Sequence, residues 1–264
     1  MSYLLLFLNF TINWLLITCI VGITIGSFYP AVSWATVIVT STCILILSVI
    51  FFLSDLGSGF LVAMIPHRTP SEPEIRYLKP ILKEVFDKTQ LKKRPIVFIQ
   101  DDKYPNAMVL ANAIIITTGL LKIASKEELT AVIAHEAGHI VNGDVKLKTL
   151  HFAVNKMGNV MLILAIGLIM FFSANGRRFY IYLPFIILAA VLKILYWVLD
   201  KTLQLGILSC DRKNEYRADS FAASIGYKEP IVSYLKKVAE ITKDKKSIFS
   251  THPTLISRIA KIEA

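Results

Sequence analysis

The chain carries no charged side chain before Asp55. Ahead of it lie two apolar runs, roughly residues 4 to 26 and 33 to 53, parted by Gly26-Ser27-Phe28-Tyr29-Pro30. Each run is long enough to cross a hydrocarbon core about 30 Å thick, so the pair predicts a transmembrane helical hairpin. A cleaved leader is the rival reading of the first run, but it lacks a basic start and a second span follows at once. The pattern recurs downstream. Residues 157 to 176 carry no charge, Gly176-Arg177-Arg178 makes a short loop, and 179 to 199 are apolar except for Lys193, which lies near the span end where a lysine can snorkel. Four spans in two hairpins are expected.

Between the hairpins the periodicity is that of a folded polar domain. Pro66 to Pro73 reads as a linker rich in proline and charge. From Glu74 to about Gln90, the positions Ile75, Leu78, Ile81, Leu82, Val85 and Phe86 predict an amphipathic helix, kinked at Pro80. Pro95 to Gln100, Asn106 to Leu110 and Ala113 to Thr117 predict short strands, the last two joined by a turn at Ala111-Asn112. A bounded helix follows. Ser125-Lys126-Glu127-Glu128 has the form of a capping box, Asn142-Gly143 supplies a stop, and Leu129, Val132, Ile133 and Ile140 mark a face packed in a core. An edge strand ahead of such a helix can hold an extended peptide backbone.

Composition supports a membrane protein: 55% of the 264 residues are hydrophobic and the mean hydropathy is +0.58. Two hairpins leave the N-terminus, the polar middle segment and the tail on one side. That side carries Arg68, Arg76, Lys79, Lys146, Lys148, Lys156, Lys201, Arg212 and Lys213 near span ends, against Arg177 and Arg178 opposite, so the positive-inside rule predicts a cytoplasmic polar domain. The net charge of +10 fits a domain held against anionic headgroups; with no aromatic-basic platform, it does not point to nucleic acid. Cys19, Cys43 and Cys210 have no C-x-x-C spacing, which argues against a disulfide framework or a thiolate metal site.

Inside the bounded helix sits His135-Glu136-Ala137-Gly138-His139. Residues four apart share a helix face, so both imidazoles can bind one metal ion while Glu136 reaches a water on it. Two histidines and a glutamate in an apolar helix need partners, because an unpaired buried polar group costs several kcal/mol, of order 2 to 7. Tetrahedral zinc would still want a third protein ligand. Asp211, Glu215 and Asp219 recur every four residues after the last expected span, and spacing does not choose between them.

Taken together, Asn106-Ala107, His135-Glu136-Ala137-Gly138-His139, Asn142-Gly143-Asp144, Glu215-x-x-x-Asp219 and Thr251-His252-Pro253 resemble, in that order, the HtpX-like membrane zinc endopeptidases, a family related to the CAAX prenyl proteases. The resemblance covers roughly residues 70 to 260. It implies one zinc ion per chain on His135, His139 and Glu215, with Glu136 as general base and Asp219 orienting a ligand histidine. It also implies substrate or oxyanion roles for Asn106 and His252. The implied fold is a mainly α integral membrane protein with four transmembrane helices and a cytoplasmic gluzincin-like α+β metalloprotease domain containing a small sheet. Its expected parts are hairpin 1 (1–55), a catalytic part with the H-E-x-x-H helix (56–156), hairpin 2 (157–199), and a catalytic part with the third ligand and the tail (200–264). The implied activity is zinc-dependent hydrolysis of misfolded or damaged membrane proteins at the cytoplasmic face of a bacterial inner membrane. The rival readings are a non-catalytic membrane chaperone or scaffold with structural zinc, and a CAAX-type prenyl protease.

Overall fold

The computed structural model describes residues 2–29, 31–89, 91, 93–174, 187, 191, 193–194, 197–198, 201, 212–242 and 253–264. The chain divides into two compact units, Met1–Leu53 with Thr149–Ile207, and Ser54–Lys148 with Leu208–Ala264.

In the first unit the two apolar runs form α1 (Ser2–Phe28) and α2 (Trp34–Leu53). Each contains a stretch long and apolar enough to span a bilayer, Tyr3–Ile23 and Trp34–Leu53, with mean hydropathies of 2.2 and 2.6. The third expected span lies in a longer helix, α7 (Asp144–Ala174). The fourth, at 179–199, falls outside the described residues except for isolated helical positions, and so does the 176–178 loop. Ile17, Val21, Val37, Leu45 and Val154 form this unit's apolar core. Beside it runs a ladder of amides. Asn13 Nδ2 donates to Asn9 Oδ1 (2.9 Å) and Asn155 Oδ1 (3.1 Å), and Asn9 Nδ2 lies 3.2 Å from His151 Nδ1.

The second unit begins with α3 (Asp55–Ala63), which the hydropathy pattern does not predict. The expected linker is ordered: Arg68 pairs its backbone with Ile99 at 2.8 and 2.9 Å, and its guanidinium forks onto Glu74 at 2.8 Å. That hydrogen-bonded guanidinium holds the Glu74 carboxyl down at about 2. Glu74 also accepts from Ser71 N and Oγ, both at 2.7 Å, so α4 (Glu72–Thr89) starts two residues ahead of the expected Glu74. α4 runs through Pro80 as one helix. Pro80 is on the exposed face of the helix.

The three predicted strands form one mixed sheet, ordered β1 (Ile96–Gln100), β3 (Ala113–Thr117), β2 (Ala107–Leu110). β1 pairs with β3 in parallel, Ile96 opposite Ala113, and β2 pairs antiparallel, Ala107 opposite Ile116. The turn falls at Ala111, with φ +51°. β3, apolar throughout except Thr117, is buried along its whole length, as expected of a central strand. α5 (Thr118–Ile123) leads into α6 (Lys126–Val141), which packs on α4, β2 and α9 (Lys228–Thr242). Leu78, Ile81, Val85, Ile114, Leu129, Ile133 and Ile231 fill the core between these elements. α8 is described over 212–222, and a π turn, Ala223–Tyr227, joins it to α9. Gly226 takes φ +98° there, a left-handed conformation that an L side chain resists, and the axis breaks. The short helix α10 (Leu255–Glu263) packs on α9.

Candidate metal centre

The helix that carries the histidines is fixed by local chemistry at both ends. Ser125 Oγ accepts from Glu128 N (3.1 Å) while Glu128 accepts from Ser125 N (2.8 Å), which makes the predicted capping box. Asn142 ends α6, and Gly143 at φ +75° turns the chain into α7. Glu128 through His139 are all buried, so the two imidazoles are held inside protein with ring centroids 4.9 Å apart.

Glycine at the fourth motif position lets the other half of the site approach. A Cβ on Gly138 would stand 3.0 Å from Phe221 Cδ1 and 3.3 Å from Ala218 Cα. α8 therefore packs close against α6 at this point and brings Glu215 with it. The Glu215 carboxylate faces both histidines: Oε2 is 3.4 Å from His135 Nε2 and Oε1 is 3.4 Å from His139 Nε2. One turn on, Asp219 Oδ1 accepts from His135 Nδ1 at 2.9 Å. Asp144, the first residue of α7, accepts from His139 Nδ1 at 3.0 Å. Each ring thus spends Nδ1 on a carboxylate and turns Nε2 toward one point, the arrangement by which metal-binding histidines are oriented.

Two cations complete the cluster. Arg258 of α10 donates to Asp219 at 2.6 and 2.8 Å and lies 3.3 Å from Glu215 Oε2. Arg217 bonds Asp144 and donates to Asn214 at 2.9 Å. Burial pulls the pKa of His139 down, but its bonds to Asp144 and Glu215 outweigh this and carry it up to about 9. His135 moves up in the same way: burial opposes the shift, and Asp219 and Glu215 carry it. Burial raises the Asp219 carboxyl, and the Arg258 and His135 bonds bring it below its usual value. The pocket is built to hold positive charge. Ligand atoms of His135, His139 and Glu215 lie within 4.8 Å of one another, a compact nitrogen and oxygen donor set into which a divalent metal fits in place of the histidine protons.

A cavity of about 580 Å³ opens onto this cluster, with Glu136 in its wall. The outer strand β2 and the residue before it, Asn106, line one side; Val132, Ile231, Leu235, Val238 and Leu255 make an apolar wall. The structure thus brings Asn106, Glu136, the two histidines and Glu215 to one cavity, with Asp219 behind His135. Asp211 and His252 lie outside the described residues, although Pro253, next to His252 in the chain, lines the cavity. Sequence reasoning missed two participants. Asp144 is within one of the quoted motifs, but only the fold shows that it orients His139. Arg258 has a faint signal, a cation on the apolar stripe Leu255, Ile259, Ile262.

The sequence pattern of peptidase family M48 matches residues 73–264. The chain is 27% identical over 288 residues to a protease HtpX homolog of Limosilactobacillus fermentum, covering 94% of this chain and 92% of that one. It is 30% identical over 206 residues to a protease HtpX homolog of Helicobacter acinonychis, covering 69% of this chain and 64% of that one. Among solved structures, a crystal structure of S. mikatae Ste24p shares the fold with a TM-score of 0.57 at 18% identity, covering 98% of this chain and 64% of that chain. With its paired histidines, facing glutamate and two membrane-length helices, the chain belongs to peptidase family M48, as an HtpX-like membrane metalloprotease.

Proposed function

We propose that the protein is a zinc-dependent endopeptidase that cleaves misfolded or damaged membrane proteins at the cytoplasmic face of a bacterial inner membrane. The observation that carries the reading is the convergence of His135 Nε2, His139 Nε2 and the Glu215 carboxylate while both Nδ1 atoms are engaged by Asp219 and Asp144. These three residues hold one zinc ion per chain, and Asp219 and Asp144 fix the rings behind it. Zinc, when bound, polarises the scissile carbonyl and lowers the pKa of its water to about 7. Glu136 takes the proton as water attacks the peptide carbonyl and gives it to the leaving amine as the C–N bond breaks. The oxyanion takes a hydrogen bond from His252, by the family resemblance. Asn106 and β2 hold the substrate backbone, since β2 is an edge strand of the sheet and lines the cavity.

The membrane part of the proposal is a four-span, multi-pass chain carrying a gluzincin-like domain. It rests on the span-length helices α1 and α2, the apolar stretch within α7, the apolar run 179–199 and the excess of Lys and Arg on one side. The test is cleavage of an unfolded membrane protein in detergent. Cleavage should stop with chelator and return with zinc. A rate indifferent to chelator would sink the metal assignment, and a zinc-loaded protein that cuts nothing would sink the endopeptidase reading.

A further inference from the structure

A single residue separates α3 from the end of the second span. Ser54 has extended backbone, φ −76° and ψ 165°, and its side chain accepts from Gly57 N at 3.2 Å, so a new helix starts there instead of a continuation of α2. α3 has two faces. Gly57, Leu61 and Val62 are buried, whereas Leu56, Phe60 and Met64, at i, i+4 and i+8, are 74%, 53% and 55% exposed. From Leu56 to Pro66 the sequence carries no charge. The only charge in α3 is Asp55 at its first position, ion-paired with Lys93. Isolated exposed apolar side chains are ordinary, but three in a row on an uncharged helix face make a contiguous patch.

We infer that this face is an interfacial anchor: Leu56, Phe60 and Met64 sit in a lipid bilayer at the boundary between headgroups and acyl chains. The occupant follows from the chain itself. Only Ser54 lies between α3 and Leu53, where a membrane-length helix ends, so the first turn of α3 is delivered to the surface of the bilayer. The net charge of +10 favours an anionic headgroup layer. α3 also packs on β2, the outer strand that lines the cavity. Anchoring α3 therefore keeps the cavity's edge strand close to the membrane and favours substrate segments just after they leave the bilayer. This substrate preference rests on the proteolytic reading; the lipid contact does not.

The experiment uses the full chain in nanodiscs of phosphatidylethanolamine and phosphatidylglycerol, with Cys19, Cys43 and Cys210 replaced by Ser. Nitroxides are placed singly through Leu56→Cys, Phe60→Cys, Met64→Cys and, on the exposed face of α4, Lys83→Cys. Collision with oxygen against a water-soluble nickel chelate reads depth. The three α3 sites should report lipid and position 83 water. Aqueous readings at all three would overturn the anchor, and spin–spin broadening at them would assign the face to a second copy of the chain, with the same effect. A second arm compares Phe60→Glu/Met64→Glu with wild type on casein and on a membrane-anchored peptide cut beside its anchor. The pair should lose the anchored substrate several-fold and keep casein; equal rates on both would overturn the substrate preference. If wild type cuts neither, the proteolytic reading has failed while the depth measurement still stands.

Discussion

Around His135 and His139 the protein buries Glu215, Asp219, Asp144 and Arg258, all 8% exposed or less. Between α1 and α7 it buries Asn9, Asn13 and His151, joined by side-chain contacts among amides and an imidazole. Both are polar networks inside apolar surroundings, yet they serve different ends. Amides satisfy one another and leave no net charge, which suits a helix pair of membrane-span composition, where an ion is costly and an amide–amide bond is modestly favourable. The metal-centre network keeps charges that only opposite charges compensate. Its carboxylates raise the histidines against the pull of burial, and Arg258 holds the Asp219 carboxyl below its usual value, so each member depends on the rest.

The contrast can be broken by substitution. The largest effect is expected for Glu136→Gln, which leaves the cluster intact and removes only the proton carrier: steady-state kinetics should show turnover falling by about 10² to 10⁴. Arg258→Met strips the counter-charge from Asp219 and Glu215, and unfolding should show a loss of about 3 to 5 kcal/mol. Asp144→Asn keeps the shape but weakens the hold on His139, so metal titration should show an affinity lower by about 10- to 100-fold. Asn13→Leu in the amide ladder should cost only about 0.6 to 2 kcal/mol in detergent unfolding and leave metal content unchanged. If Asn13→Leu proved as damaging as Arg258→Met, the distinction between the networks would fail.

The smallest effect concerns pH. Burial raises the Glu128 carboxyl, but bonds from Lys237 (2.6 Å), Ser125 N (2.8 Å) and Ser233 (2.8 Å) outweigh it and hold it below its ordinary 4.5. A depressed carboxylate contributes stability that is present above its unfolded value and lost as pH falls through the folded one. Acid unfolding should therefore begin below pH 4.5, and Glu128→Gln should flatten that limb at a cost of about 1 kcal/mol.

What could be read from the sequence was local. Ser125 with Glu128 and Asn142 with Gly143 bound α6 through bonds between near neighbours, and short apolar runs set apart by turn residues placed β1 to β3. The long-range half was less visible. Spacing left Asp211, Glu215 and Asp219 open as third ligand; the fold turns Glu215 to both Nε2 atoms and Asp219 to Nδ1 of His135. Gly138 looked like a free motif position because its reason is Phe221, on another helix. α3 escaped notice because an apolar run after a span reads as its tail, and the signal that breaks the helix, Ser54 capping Gly57 N, is local and short.

The central claim is that the two halves close around one metal while Glu136 stands outside the ligand set. Zinc content per chain, measured side by side for wild type, Glu136→Gln and Glu215→Ala, tests it most directly. The account predicts one zinc in the first two and none retained in Glu215→Ala. Full zinc in Glu215→Ala, or its loss from Glu136→Gln, would contradict it.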